Sequence, residues 1–201
     1  MEIEAMISAV QQALGIDVDG RAGPQTWGAV YAKIVGPLPA EAEEANISAV
    51  DPRSEALIAT LLPEVRPYAR ALVQKATAAG IRIKVISALR TYEEQDKLYA
   101  QGRTAPGTVV TNAKAGQSNH NFGIAFDVGV FEGNKYLGDS PKYKAVGALG
   151  IELGLEWGGN WKSIVDQPHF QLRPTWAADM SERDMLAELR RRKADGRAVY
   201  A

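Results

Sequence analysis

Apolar residues recur at helical spacing from residue 3 to 14, where Ile3, Met6, Ile7, Val10 and Leu14 share one face, and Gly15 ends the run. Asp19-Gly20 and Gly23-Pro24 then predict a tight turn and a second helix from near Pro24, a residue suited to a first helical turn. Residues 1–36 therefore read as a small all-helical module. The stretch GPLPAEAEEANISAVDPRS has neither helical nor strand period, so residues 37–54 read as a linker. Helical spacing returns from Ser54 to Ala79 through Leu57, Ile58, Leu61, Leu62, Val65, Ala69, Leu72 and Val73. Pro63 and Pro67 interrupt it, which predicts a broken or kinked helix pair ending at Gly80.

Beyond Gly80 the period changes. IRIKVISA (81–88) alternates Ile81, Ile83 and Val85 with Arg82 and Lys84, as a half-buried strand does. TYEEQDKLYAQG (91–102) has a Thr N-cap, an acidic first turn and a terminal Gly, so it is a helix. A loop is expected over 105–119, a buried strand over Gly123–Phe131, a helix over Pro141–Leu153 and a short strand over 169–172. SERDMLAELRRRKADG is a capped helix whose basic end complements the helix dipole. The main body, 55–178, is thus α+β, and 179–201 is a C-terminal helix and tail.

Composition narrows the possible partners. With 201 residues and 21.7 kDa the chain has room for one full domain and an accessory module. Lys+Arg number 23 against Asp+Glu 24, a net charge of -1, so there is no basic field for nucleic acid or anionic lipid. The acidic start MEIEAMISAV lacks the charge pattern of a signal peptide, and no apolar run is long enough to span a membrane. Synthesis in the cytoplasm, no stable membrane insertion and a monomeric state are the expectations.

There are no cysteines and only two histidines, so a transition-metal site would have to be built from His, Asp and Glu. His120 stands seven positions before Asp127 in GQSNHNFGIAFDVGV, and His169 lies in VDQPHFQLRP. Together they would supply the three ligands of a catalytic zinc with one position open. An odd separation points strand side chains to opposite faces, so His120 must lie in the loop before the strand that carries Asp127. Spacing alone leaves a second account standing: a loop histidine, a satisfied core histidine and a capping aspartate. Asp166, three residues before His169, is placed to take a proton from a metal-activated water. Glu156 in GLEWGGNW is the rival base, ranked lower because the Trp-Gly-Gly that follows it suggests a turn and local chain geometry does not fix its distance from His169.

SNHNFGIAFD resembles the Ser-x-His-x-x-Gly-x-Ala-x-Asp signature of zinc peptidases that cut D-amino-acid-containing peptides of bacterial cell walls, and DQPHF resembles their second ligand segment. The resemblance spans roughly residues 55–175 and is nearest the L-alanyl-D-glutamate endopeptidase branch, which includes phage endolysins. In that branch the base before the last histidine is Asp, where the D-alanyl-D-alanine carboxypeptidase relatives usually carry Glu. The resemblance implies a small antiparallel sheet flanked by helices, the zinc D-Ala-D-Ala peptidase or hedgehog-like fold. It makes His120, Asp127 and His169 the Zn2+ ligands, Asp166 the general base and Arg90 of SALRTYEEQ the stabiliser of the substrate oxyanion. Without it, Arg90 reads as a surface partner of Glu93 or Glu94. Ser118 is implied in supporting the ligand loop or touching substrate, against an ordinary loop hydroxyl.

VQQALGIDVDGRAGPQTWGAV is similar to the core of peptidoglycan-binding helical domains, with their Val-Asp-Gly-x-x-Gly-Pro-x-Thr stretch, although residues 5–35 are shorter than a full copy. The combined expectation is hydrolysis of the L-Ala–D-Glu bond of peptidoglycan stem peptides by an endolysin-like enzyme that reaches the wall after release. The alternatives are a D-alanyl-D-alanine carboxypeptidase and a non-catalytic wall-binding protein with a structural zinc.

Overall fold

The computed structural model describes residues 3–22, 26–27, 29–30, 33, 50–162 and 164–201. Chain contacts divide it into two compact units, Met1–Ser48 and Ala49–Ala201.

In the first unit, helix α1 (Ile3–Leu14) buries one polar side chain, Gln11. Its amide oxygen accepts from the backbone N–H groups of Asp19 (3.1 Å) and Gly20 (2.9 Å). Its amide nitrogen donates to Asp19 Oδ1 (2.6 Å) and Thr26 Oγ1 (2.9 Å). One buried amide thus ties the Asp-Gly turn to the helix, and Gly20, at φ +69°, supplies the left-handed step. Pro24, the expected start of the second helix, lies outside the described residues; Thr26, Trp27, Ala29, Val30 and Lys33 are helical. Most of the expected linker also lies outside them. Its last residues, 50–54, belong instead to the second unit: Val50 joins the core, and Asp51 caps helix α2 (Pro52–Ile58) by accepting from Ser54 N–H.

Helix α3 (Arg66–Ala78) follows the break at Pro63, with Pro67 in its first turn, where the missing N–H is harmless. Strand β1 (Ile83–Ser87), helix α4 (Tyr92–Ala100), strand β2 (Ala125–Glu132), strand β3 (Lys135–Leu137), helix α5 (Lys142–Glu152), strand β4 (Glu156–Trp157), strand β5 (His169–Gln171) and helix α6 (Glu182–Ala194) complete the unit. The sheet is antiparallel in the order β1-β2-β5-β4, with β3 also pairing with β2. This is the expected α+β arrangement of a small antiparallel sheet flanked by helices. β2 begins at Ala125, two residues later than its pattern suggested, because Gly123 (φ +69°) closes a 3₁₀ turn over Asn119–Phe122. β3 and β4 have only three and two residues, too short for alternation to show.

Side-chain alternation divides the sheet's two faces. Ile83, Val85, Phe126, Val128, Val130 and Phe170 are buried in the core with Leu72, Ala76 and Val146 of α3 and α5. Helix α5 lies so close that a Cβ on Gly150 would stand 2.4 Å from Phe170, and one on Gly147 would stand 2.4 Å from Trp157. A second cluster, Phe122, Ile124, Met185 and Leu189, joins the 3₁₀ turn to α6. At one end of the other face Asp127, His169, Gln171 and Glu156 form a polar patch, and the candidate chemistry stands there. Because Gly150 meets an aromatic ring in a closed core, Gly150→Ala is expected to destabilise the unit by about 1–3 kcal/mol through overpacking. Urea unfolding of both proteins measures it, and an unchanged midpoint would contradict the close approach.

Candidate metal centre

Antiparallel pairing opposes Asp127 to His169 across β2 and β5, so their side chains share a face. β1 reaches the same place through a bulge. Its ladder pairs Val85 with Val128, then skips Ile86 and pairs Ser87 with Asp127. That one extra residue turns Ser87 toward the polar face and sends the chain on through Ala88 to Arg90. His120 arrives on the 3₁₀ turn, which hydrogen bonds stitch to the same segment: Arg90 N–H donates to His120 O (3.0 Å), and Asn121 Nδ2 donates to Arg90 O (2.9 Å).

The three side chains meet. One donor atom from each of His120, Asp127 and His169 lies within 4.8 Å of the others, a group able to hold a metal ion. Asp127 Oδ1 is 3.3 Å from His120 Nε2 and 3.2 Å from His169 Nδ1. The far nitrogen of each ring faces a carbonyl oxygen: His120 Nδ1 is 2.7 Å from Ala88 O, and His169 Nε2 is 2.9 Å from Gln171 Oε1. A carbonyl oxygen only accepts, so those nitrogens carry the protons and the lone pairs of the other two point at Asp127. Three electron-rich atoms around one point repel unless a cation or a proton stands between them. Burial works to raise Asp127, but positive charge on the two imidazoles outweighs it and holds the carboxyl well below the usual carboxylate range, the same help that a bound cation would give once the rings are neutral. Two imidazole nitrogens and a carboxylate, with outward N–H groups anchored, suit a zinc-type ion.

These residues form the floor of an open cleft of about 1130 Å³ that Arg90, Ser118, Glu156, Trp161, Asp166 and Arg173 also line. Asp166 is held by its backbone: its N–H donates to Gly158 O (3.0 Å), and its carbonyl accepts from His169 N–H (3.2 Å). A Cβ on Gly158 would fall 2.5 Å from Asp166 O, which explains the glycine in WGGNW. Burial first, and the Asp127 carboxylate second, push the Asp166 carboxyl up. Arg90 donates to Gln95 Oε1 (2.9 Å) and Ser87 Oγ (3.1 Å), not to Glu93 or Glu94. Glu93 pairs with Lys97, and Glu94 closes the capping box of α4. Ser118 precedes the 3₁₀ turn and makes no side-chain cap bond there. Glu156 stands on β4, just before the turn expected in Trp-Gly-Gly, which forms as a 3₁₀ turn over Gly158–Asn160, and it pairs with Arg173.

Four buried amides in or around the cleft went unnoticed in the sequence. Gln95 orients Arg90 and donates to Ala113 O (2.7 Å); Asn121 ties two loops together; Asn119 and Gln171 stand behind the histidines. Only Gln171 left a readable sign, since i and i+2 on a strand share a face.

The D-alanyl-D-alanine carboxypeptidase family model matches residues 111–172, the span that carries all three donors. The chain is 37% identical over 126 residues to the peptidoglycan L-alanyl-D-glutamate endopeptidase CwlK of Bacillus subtilis, covering 57% of this chain and 74% of that protein. It is 30% identical over 122 residues to the L-alanyl-D-glutamate peptidase of Listeria phage A118, covering 59% of this chain and 40% of the phage protein. Among solved structures, the L-Ala D-Glu endopeptidase ChiX of Serratia marcescens aligns over 64% of this chain and 92% of its own, with a TM-score of 0.48 and 22% identity. On its likeness to the Bacillus protein over most of that protein's length, and on the family pattern that spans the three candidate metal donors, the chain belongs to the family of D-alanyl-D-alanine carboxypeptidases and L-alanyl-D-glutamate endopeptidases.

Proposed function

We propose that the protein is a zinc-dependent peptidase that hydrolyses the L-Ala–D-Glu bond of peptidoglycan stem peptides. The observation that carries this reading is the meeting of His120, Asp127 and His169 in one cleft with Asp166 and Arg90. The relatives at 37% and 30% identity, both named for L-alanyl-D-glutamate cleavage, support the choice of bond. Bound at His120, Asp127 and His169, zinc would supply a Lewis acid that polarises the scissile carbonyl and acidifies a water.

The chain's own groups supply the rest. Asp166, its carboxyl raised by burial and by Asp127, takes a proton from the attacking water and hands it to the departing D-Glu amine as the C–N bond breaks. Arg90, fixed by Gln95 and Ser87, faces the carbonyl oxygen as it gains negative charge; a preorganised cation at that position is worth several kcal/mol where water is excluded. Ser118 lines the same cleft and is assigned to substrate contact. The Met1–Ser48 unit, by its Val-Asp-Gly-x-x-Gly-Pro-x-Thr stretch, is assigned to wall binding, which raises the enzyme's effective concentration at an insoluble polymer. Peptidoglycan is then the partner of both units, and the site of action is the cell wall.

Three outcomes follow. Digestion of purified peptidoglycan should create new D-Glu amino termini by mass spectrometry, and release of free D-Ala instead would make the protein a carboxypeptidase. Asp166→Asn should keep bound zinc while turnover falls by at least about two orders of magnitude, within the usual worth of a general base. Zinc content and turnover measured on one sample decide this: full activity removes Asp166 as the base, and loss of zinc makes it a ligand. Deleting residues 1–48 should spare turnover of a soluble muropeptide and reduce activity on whole sacculi; equal loss on both substrates would contradict a separate binding role.

A further inference from the structure

Behind His169 runs a closed ring of polar side chains that the proposed reaction does not use. Gln171 Oε1 faces His169 Nε2 at 2.9 Å and accepts from Asn119 Nδ2 at 2.5 Å. Gln171 Nε2 donates to Glu156 Oε2 at 2.6 Å. The other Glu156 oxygen accepts from Arg173 Nε, and Arg173 Nη2 donates to Glu182 Oε2 at 2.8 Å. Glu182 Oε1 accepts from Asn119, which closes the ring. Strand register builds it: Gln171 is two residues from His169 on β5 and directly opposite Glu156 on β4.

From this geometry we infer that Gln171 and Glu156 are positioning residues of the metal centre, setting which nitrogen of His169 faces the metal. The inference rests on His169 being a ligand. A carboxylate only accepts, so Glu156 can meet only the NH₂ end of Gln171. That turns the amide oxygen toward His169, where it needs a donor and so keeps the proton on Nε2. Nδ1 is left with its lone pair toward Asp127. Arg173 holds the Glu156 carboxylate in place, and Glu182 anchors the arrangement to α6. Asn119 conforms at a cost: both its bonds use Nδ2, and its buried Oδ1 has no partner among the described residues. Turning that amide over would set its oxygen against two other acceptors. The exposed, rotatable amide of a surface glutamine would impose no such order, but Gln171 is fully buried.

The test uses the full chain with Gln171→Leu, Glu156→Gln and His169→Ala. Zinc affinity is read by competition with a chelator, and ring protonation by nitrogen-15 NMR, which two histidines per chain make simple to assign. In the zinc-loaded wild type, His169 should carry its proton on Nε2 and His120 on Nδ1. Gln171→Leu, with its circular dichroism unchanged, should bind zinc about 10-fold to 100-fold more weakly, as loss of a partner behind a ligand typically does. Glu156→Gln, which replaces one oxygen by NH₂ and lets the Gln171 amide turn over, should also weaken zinc binding and disturb His169 while leaving the His120 signals in place. If Gln171→Leu does not fold, the isosteric Glu156→Gln decides alone. Wild-type zinc affinity and unchanged His169 signals in the folded variants would overturn the inference. Unchanged zinc affinity in His169→Ala would instead remove its premise, so the two failures are distinguishable.

Discussion

Asp127 stands opposite His169 in the β2–β5 ladder, and this pairing orders the catalytic unit. A one-residue slip would send Asp127 into the core in place of Phe126 and Val128 and bring those residues onto the polar face. The two faces are therefore specified together. Packing of Phe126 on Phe170 and of Gly150 against the same ring holds the register from one side. The carboxylate and the two imidazoles use it from the other. What keeps the donors from relaxing apart is the set of buried amides and carbonyls behind them, each satisfying an N–H that would otherwise turn inward.

The cleft gathers distant segments by a small number of local devices. A bulge at Ile86 redirects β1 so that Ser87 and then Arg90 reach the polar face. The left-handed Gly123 ends the turn carrying His120 just before β2 begins. Gly158 lets the Asp166 backbone approach β4 more closely than any side chain would permit. Substitution at any of these positions would shift a functional group without touching it.

Much of this was legible in the residues themselves. The amphipathic run of α3, the alternation of β1, and the capped starts of α4 and α6 carry clear local signals, and the structure follows them. His120, Asp127 and His169 stood out because two histidines in a chain of 201 residues, each in an apolar segment, have few other uses. Their meeting was not readable from spacing, since it depends on pairing between strands 42 residues apart. β4 escaped notice for a similar reason. Two residues have no period, and only pairing with Gln171 shows that Glu156 belongs to a strand. The buried amides were least legible of all: Asn and Gln side chains, whether on the turn at 119–121, on α4 or on β5, read as solvent-facing until the fold closes over them.

The central claim is that three side chains, brought together by strand register, hold one metal through chosen atoms. A crystal of the zinc-loaded full chain, with data collected across the zinc absorption edge, tests it most directly. The account predicts one anomalous peak per chain, about 2.0–2.2 Å from His120 Nε2, a carboxylate oxygen of Asp127 and His169 Nδ1, with a fourth position open to the cleft. A peak held by other residues, or by either histidine through its opposite nitrogen, would contradict it.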